Sequence, residues 1–261
     1  MYGYGYSAYN RLSFLSPPPD PSATAFLDAT GITDPTIKSA VNTLVVDLKN
    51  YGLWDKTKAI YPFVGGTATT HKFNLKDPQD TNAAFRLSFN GGITHSSNGV
   101  LGNGTNGYAN TFISPLTNLL QNDVCVNIYS RTNTNGNADF GSLGLLGYLK
   151  FNDKQYCRIN HVSNFSITTT STPSLGLFSF NRVNSTQESI YKNGSLLDTF
   201  SKTSITPTAT NTYLLGYNAP APEYSTKQFA FASIGGGLTP TEASNLYTAV
   251  QKFQTTLGRQ V

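Results

Sequence analysis

Residues 228–258 read QFAFASIGGGLTPTEASNLYTAVQKFQTTLG, and this stretch limits the fold more than any other part of the chain. Its apolar start predicts a buried strand, and the glycine-rich bend after it leads into one helix. Thr239 is the expected N-cap of that helix, with Pro240 at the first position and Glu242 completing a T-x-x-E capping box. Gly258 is the expected stop. The stretch therefore predicts a strand followed by one closing helix.

Short strand patterns fill most of the chain before this helix. Within them, Asn193-Gly194 is the favoured pair for a two-residue type I′ turn and predicts a tight hairpin over residues 188–197. The other predicted strands are 59–64, 84–89, 107–113, 124–129, 143–151, 156–161, 164–169, 175–181, 212–217 and 228–234. About ten to twelve short strands at this spacing are typical of two packed sheets. We therefore expect an all-β fold, a two-sheet jelly-roll sandwich over residues 59–261.

Two further segments precede the predicted sandwich. Residues 1–22 are expected to form an extended arm, because a proline run at 17–19 favours polyproline geometry. Residues 23–58 are expected to be helical, with a short helix over 23–30 and a longer amphipathic one that Asp34 caps and Gly52 ends. The arm is rich in aromatic and apolar side chains, which we expect to dock on another chain, disorder being the alternative; they are Tyr2, Tyr4, Tyr6, Tyr9, Phe14 and Leu15.

The composition excludes several function classes. Only 12% of residues are charged and the formal net charge is +4, without a dense Lys/Arg cluster, so nucleic-acid binding is not expected. No apolar run approaches the length of a membrane span, and the first residues have no apolar core of a signal peptide. Cys125 and Cys157 are expected to be buried free thiols, with a disulfide as the alternative.

The C-terminal blocks resemble the concanavalin A-like (laminin-G-type) jelly-roll superfamily. The residues that carry the resemblance are the Y-K-N-G turn at 191–194, L-L-G at 214–216, the apolar strand 229–235 and G-L-T-x-x-E-A-x-x-L-Y at 237–247. The likeness is strongest over the final third of the chain and implies a jelly-roll sandwich.

A second resemblance covers more of the chain. The blocks AIYPFVGGTATTHKFNLKDP (59–78) and HSSNGVLGNGTNGYANT (95–111) are similar to segments of predicted structural proteins of tailed bacteriophages. This likeness implies a virion component such as a head or tail fibre, a receptor-binding tip or a decoration protein. With the tyrosine-rich arm, we expect the chain to be anchored to other virion proteins, to form a homo-oligomer and to be located in the virion.

The residues give no support for an enzyme. Glycoside hydrolases of the concanavalin A-like superfamily place two carboxylates on one strand, as E-x-D-x-x-E, whereas Glu188, Glu223 and Glu242 are far apart in this sequence. Asp77 and Asp80 are close together, but K-D-P-Q-D is a turn composition. The histidines and aspartates show no metal-ligand spacing, so no metal or other cofactor is expected, calcium remaining an unsupported possibility.

Two function hypotheses remain. The preferred one is a non-enzymatic virion structural protein that is anchored by its arm and projects the sandwich outward. The alternative is a lectin-like module that recognises host glycans through an exposed aromatic platform. Four tyrosines are candidates for such a platform, although each also suits the core or its rim: Tyr108, Tyr148, Tyr217 and Tyr224.

Overall fold

The computed structural model describes residues 18–261, which form five α-helices, one short 3₁₀ helix and seventeen strands. The helices are α1 (Pro21–Thr30), α2 (Pro35–Asn50), α3 (Ala68–His71), α4 (Pro115–Asn118) and α5 (Pro240–Thr256), with the 3₁₀ helix at Asn82–Ala84. The strands are β1 (Thr57–Tyr61), β2 (Ser88–Asn90), β3 (Thr94–Ser96), β4 (Gly99–Leu101), β5 (Tyr108–Asn110), β6 (Val124–Ser130), β7 (Phe140–Ser142), β8 (Leu145–Phe151), β9 (Lys154–Ile159), β10 (Ser166–Ile167), β11 (Gly176–Arg182), β12 (Gln187–Lys192), β13 (Ser195–Ser201), β14 (Tyr213–Leu214), β15 (Gly216–Asn218), β16 (Glu223–Tyr224) and β17 (Gln228–Gly235).

The strands form two sheets that pack face to face. The first sheet has the order β13-β12-β11-β6-β17-β4-β3, and β1 pairs with β17. The second has the order β10-β9-β8-β7-β14-β5-β2, with β15 joining β7 and β16. Nearly all pairs are antiparallel, which allows each sheet to present one face to the core and the other outward. The prediction of an all-β, two-sheet sandwich with helices at both ends is confirmed.

The core between the sheets is apolar and tightly packed. Its residues alternate along the strands, as Val126 and Ile128 do on β6 and Phe178 and Phe180 on β11. Gly147 on β8 lies opposite Phe140 on the neighbouring strand β7, and a Cβ there would lie 2.2 Å from a ring carbon of Phe140. A side chain at this position would have to displace the ring.

Helices cover the outer face of the first sheet. Residues of α2 and α5 pack with strand residues in one buried cluster, including Leu44 and Leu48 from α2, Leu246 and Phe253 from α5, and Tyr129 from β6. This cover explains why every residue of β6 and β11 is buried. The division into an arm, a helical segment and a sandwich stays a prediction, and the helical segment packs directly on the sandwich.

The predicted local signals form as expected. Asp34 accepts a hydrogen bond from the Ile37 amide at the start of α2, and Thr239 and Glu242 make a reciprocal capping box on α5. Asn193 and Gly194 have φ values of 49° and 76°, as a type I′ turn requires. Cys125 and Cys157 are buried free thiols, as predicted.

Several predicted strands are shorter or broken, and segment 107–113 keeps only β5 (Tyr108–Asn110). The segment 84–89 contains the end of the 3₁₀ helix, and Phe85 has a φ of 57°, so β2 begins only at Ser88. Segment 164–169 keeps two strand residues, and Leu215, with a φ of 60°, divides 212–217 into β14 and β15. Left-handed backbone interrupts the strand ladder, and nothing in the local sequence indicates it at Phe85 or Leu215.

No helix within residues 18–261 is long and apolar enough to cross a membrane.

Candidate functional site

The outer face of the second sheet carries a continuous set of aromatic side chains. Helices α1, α2 and α5 all pack on the first sheet, so none of them covers this face. Because Ala109, Leu214 and Cys157 point into the core between the sheets, the residues that alternate with them point outward. We call this surface the aromatic face and define it by Tyr108, Tyr148, Tyr156, Phe165, Tyr213, Tyr217 and Tyr224.

One end of the aromatic face is a stacked tyrosine pair. The rings of Tyr108 and Tyr213 lie 4.2 Å apart at an interplanar angle of 16°, and the Tyr224 ring lies 6.3 Å from Tyr108. All three side chains are partly exposed. Burial, reinforced by the neighbouring Tyr108, raises the pKa of Tyr213 to about 12. The Tyr213 hydroxyl is therefore protonated at neutral pH and can donate a hydrogen bond.

The other end of the aromatic face is an edge-to-face cluster. Tyr148 is 6% exposed and packs against Tyr156 at 5.9 Å and against Phe165 at 5.7 Å, with interplanar angles of 67° and 85°. Tyr156 and Phe165 are only partly buried, and Tyr217 packs against the same cluster. Rings at these angles hold one another in place, so this end of the face is rigid.

Glu223 connects the two ends of the aromatic face. Its Oε1 accepts a hydrogen bond of 2.9 Å from the Tyr148 hydroxyl, and its Oε2 accepts one of 3.0 Å from the Ala138 amide. Burial and the hydrogen bond to Glu223 raise the pKa of Tyr148 well above its usual value. Since Glu223 is followed directly by Tyr224, its carboxylate ties the cluster around Tyr148 to the stacked pair.

A single cation lies within the edge-to-face cluster. The guanidinium carbon of Arg158 is 4.4 Å from the centre of the Phe165 ring, and the buried Nε of Arg158 has no hydrogen-bond partner among residues 18–261. Burial raises the pKa of Tyr217, and the charge of Arg158 opposes that rise. The aromatic face thus combines flat apolar rings, tyrosine hydroxyls and one cation, a composition suited to a flat ligand with both apolar and polar edges.

The sequence candidates therefore meet at one surface. Tyr108, Tyr217 and Tyr224 are partly exposed on the aromatic face, whereas Tyr148 is its buried support. Sequence reasoning missed Tyr213, Arg158 and Phe165. The alternation Y-C-R at 156–158 around the buried Cys157 was the signal that could have indicated Arg158. The proposed anchoring residues lie outside the described residues: Tyr2, Tyr4, Tyr6, Tyr9, Phe14 and Leu15.

The glutamates and the close aspartates have structural partners. Glu188 is buried among His161, Ser166 and Arg182. Glu242 caps α5 and pairs with Lys56 at 2.7 Å, and Asp80 pairs with Lys72. Glu223 likewise accepts a hydrogen bond from Tyr148, so each of these carboxylates has a partner within the fold. The absence of an enzymatic activity stays a prediction.

Two histidines that are distant in the sequence form a pair. The Nδ1 atoms of His71 and His95 lie 3.0 Å apart, and the Nε2 of His71 accepts a hydrogen bond from the Gly66 amide. This requires a proton on the Nδ1 of His71, which is donated to His95. Burial lowers the pKa of His71 to about 3, so His71 is neutral over the physiological range, and burial lowers the pKa of His95 as well. Within residues 18–261 no three His, Cys, Asp or Glu side chains are grouped to hold a metal ion.

No protein-family model and no curated protein matches this sequence. Solved structures match its fold. The binding domain of botulinum neurotoxin DC in complex with rat synaptotagmin II is 12% identical, with a TM-score of 0.54, over 76% of this chain and 52% of that one. A second match is a botulinum neurotoxin type C structure whose description states that cell entry depends on interaction with two ganglioside molecules. It is 12% identical, with a TM-score of 0.55, over 77% of this chain and 52% of that one.

A third match is a mutant of Trypanosoma rangeli sialidase displaying trans-sialidase activity, with a TM-score of 0.52 at 13% identity over 81% of this chain and 39% of that one. The chain spans about half the length of the toxin structures that it matches. At such identities the likeness concerns the fold alone. The comparisons therefore support a two-sheet β-sandwich architecture for the described chain.

Proposed function

We propose that this chain is a non-enzymatic carbohydrate-binding β-sandwich that uses its aromatic face. The observation that carries the proposal is the stacked pair of Tyr108 and Tyr213, partly exposed on a sheet face that α1, α2 and α5 leave uncovered. Partly exposed tyrosines in a contiguous group are not needed to close the core of this sandwich, whose interior is filled by other residues.

The chemistry of a sugar ring suits this surface. One face of a pyranose is rich in C–H groups and packs on an aromatic ring, while its hydroxyls point outward and require hydrogen-bond partners. Tyr108 and Tyr213 offer a flat apolar surface with phenolic hydroxyls at the edge, and Asn90 and Asn110 lie on the neighbouring strand positions of the same sheet. Rings that are held rigidly lose little conformational entropy on binding.

The fold comparisons add limited support. One matched toxin is described by its interaction with ganglioside molecules, and another toxin binding domain was solved in complex with SialylT. Those descriptions concern the toxins. They make carbohydrate a reasonable first ligand class to test for this chain.

Substitution of Tyr108 by alanine tests the proposal. A glycan array identifies the best ligand of the unaltered protein, and calorimetry then measures its dissociation constant for each variant. We expect Tyr108→Ala to weaken binding about tenfold, because losing aromatic contact of about 1.5 kcal/mol corresponds to that ratio. The matched control is Tyr51→Ala, which removes a partly exposed tyrosine at the end of α2, away from the aromatic face.

An array without any ligand above background would refute the carbohydrate proposal. An equal loss of affinity in Tyr108→Ala and Tyr51→Ala would refute the assignment of the site. Thermal unfolding of both variants checks that each one keeps its fold.

A second role is proposed on the N-terminal sequence. We infer that the chain is a bacteriophage virion component, such as a fibre, decoration or adhesion subunit, that attaches to other virion proteins through its tyrosine-rich arm and displays the sandwich outward. The observation that favours this role is the spacing of Tyr2, Tyr4, Tyr6 and Tyr9 beside glycine and small residues, which provides large contact areas within a short segment. Self-association into a homo-oligomer belongs to the same proposal.

Deletion of residues 1–17 tests the anchoring role. This deletion keeps Asp20, which caps α1 and pairs with Lys49 at 2.7 Å, so the sandwich and its helices should stay folded. We expect incorporation of the protein into particles to be abolished. Replacement of the four tyrosines by serine is the matched variant and should have the same effect. Normal incorporation of both variants would contradict the anchoring role.

A further inference from the structure

Arg158 lies at the end of the aromatic face that carries the edge-to-face cluster. It lies on β9, where its register partner is Leu146 of β8, and it points outward between Tyr156 and the loop that carries Phe165. The side chain is half-buried, and its guanidinium carbon lies 4.4 Å from the Phe165 ring centre. An aromatic ring beneath a guanidinium fixes the orientation of the guanidinium plane. The N–H groups at the edge of the guanidinium stay available as hydrogen-bond donors.

The partners of the other arginines make Arg158 unusual. Arg86 pairs with Asp80, Arg182 pairs with Glu188, and Arg131 and Arg259 donate to carbonyl and amide oxygens. Within residues 18–261 the guanidinium of Arg158 has no hydrogen-bond or ion-pair partner, and its Nε is buried without one. A buried donor without an acceptor costs free energy.

Glu223 makes no ion pair with Arg158. Its two oxygens accept hydrogen bonds from the Tyr148 hydroxyl and from the Ala138 amide. Within residues 18–261 Arg158 is therefore a cation without an ion-pair partner on the aromatic face. The guanidinium fork matches the two oxygens of a carboxylate.

We propose that the aromatic face selects an acidic saccharide and that Arg158 binds its carboxylate. This inference rests on the proposed carbohydrate-binding function and goes beyond it by naming the ligand class. The sugar ring packs on Tyr156 and Tyr217, the partly exposed tyrosines at the same end of the face as Arg158, and its carboxylate accepts hydrogen bonds from the guanidinium. Such a carboxylate occurs on a terminal sialic acid or on a hexuronic acid, and both satisfy the same chemistry.

Paired acidic and neutral probes test the proposal on the full chain. The acidic probes are 3′-sialyllactose and trigalacturonate, and the neutral probes are lactose and maltotriose. We expect at least one acidic probe to bind about tenfold more tightly than its neutral counterpart, and this preference to shrink as salt is raised. Whichever acidic probe binds identifies the source of the carboxylate.

Substitution of Arg158 then separates recognition from structural support. Arg158→Gln should abolish the acidic preference while leaving the affinity for neutral probes within about twofold, and Arg158→Lys should retain part of the preference, because it keeps the charge but loses the fork. A purely structural role for Arg158 would weaken acidic and neutral probes equally, and that result would overturn the inference. Equal affinity of the unaltered protein for acidic and neutral probes would overturn it as well and leave carbohydrate binding intact. Failure to bind any saccharide would refute the proposed function itself.

Discussion

Replacement of Arg259 by methionine should lower the free energy of unfolding by about 3–5 kcal/mol, because it leaves several buried carbonyl groups without a donor. Arg259 is 2% exposed and lies just beyond α5, near the end of the described chain. Its side chain donates five hydrogen bonds, to Oε1 of Gln254 (2.9 Å) and to the carbonyl oxygens of Pro62 (3.1 Å), Phe63 (2.7 Å), Ser97 (3.3 Å) and Ala230 (2.9 Å).

Those hydrogen bonds join distant parts of the sandwich. Pro62 and Phe63 follow β1, Ser97 lies in the turn between β3 and β4, and Ala230 belongs to β17. Burial lowers the pKa of Arg259 to about 9, and the side chain therefore keeps its charge at neutral pH. Methionine fills much of the same volume without donors, so the measured loss reports the unpaired carbonyl groups rather than a cavity.

Urea denaturation of Arg259→Met and of Lys252→Met provides the comparison. Lys252 lies in the last turns of α5 and makes an exposed ion pair with Asp47 at 2.9 Å. Its replacement should cost less than about 1 kcal/mol, as exposed ion pairs usually do. If Arg259→Met were no more destabilising than Lys252→Met, the role of Arg259 in joining the strands would be wrong.

Replacement of Glu188 by alanine should also destabilise the fold by about 3–5 kcal/mol, the range for removing one partner of a buried ion pair. The carboxylate accepts hydrogen bonds from the Ile159 amide at 2.9 Å and from Ser166, and it contacts His161 at 3.1 Å. Arg182 lies 3.5 Å away, and both members of this ion pair are fully buried. Without Glu188 the Arg182 charge stays buried with no carboxylate beside it.

The same carboxylate predicts a pH dependence. Burial raises the pKa of Glu188, but the hydrogen bonds from His161 and Ser166 and the charge of Arg182 outweigh burial and lower the pKa below its ordinary value. A carboxyl group with a lowered pKa in the folded state stabilises the protein above its unfolded pKa of about 4.3. This stabilisation is lost as the pH falls through the folded pKa.

Unfolding free energies of the unaltered protein, Glu188→Gln and Glu242→Gln between neutral and acidic pH measure this contribution. Glu188→Gln should reduce the loss of unfolding free energy at acidic pH, that is, flatten the acid limb of the plot of unfolding free energy against pH. Glu242→Gln, on a more exposed helix cap, should cost about 1 kcal/mol and change the acid limb less. An unchanged acid limb in Glu188→Gln would show that other carboxyl groups cause the acid loss.

Local elements of this fold could be predicted because their signals lie within a few residues of one another. The cap of α2 needs only Asp34 and the Ile37 amide, and the hairpin turn needs only Asn193 and Gly194. The count of strand patterns likewise indicated two sheets. Strand bounds were less accurate near Phe85 and Leu215, where contacts with the rest of the fold favour a left-handed backbone.

The candidate site could be predicted only as a set of separate tyrosines. Tyr108 and Tyr213 are about a hundred residues apart in the sequence, yet β5 and β14 are neighbours in the second sheet. Tyr148 and Glu223 lie 75 residues apart and form a hydrogen bond. No local pattern contains the order of the strands in a sheet, so the sequence could not join these residues or indicate that Arg158 has no partner.

The sequence by itself determined the capped helices, the hairpin and the two-sheet class, because hydrogen bonds and side-chain periodicity within short segments specify them. Only the tertiary structure decided that the helices cover the first sheet and leave the second with an open aromatic face. The physical reason is that each sheet buries one face against the other sheet and keeps a second, outer face. Which outer face the helices cover depends on long-range packing of α2 and α5, and the aromatic face is the one that they do not cover.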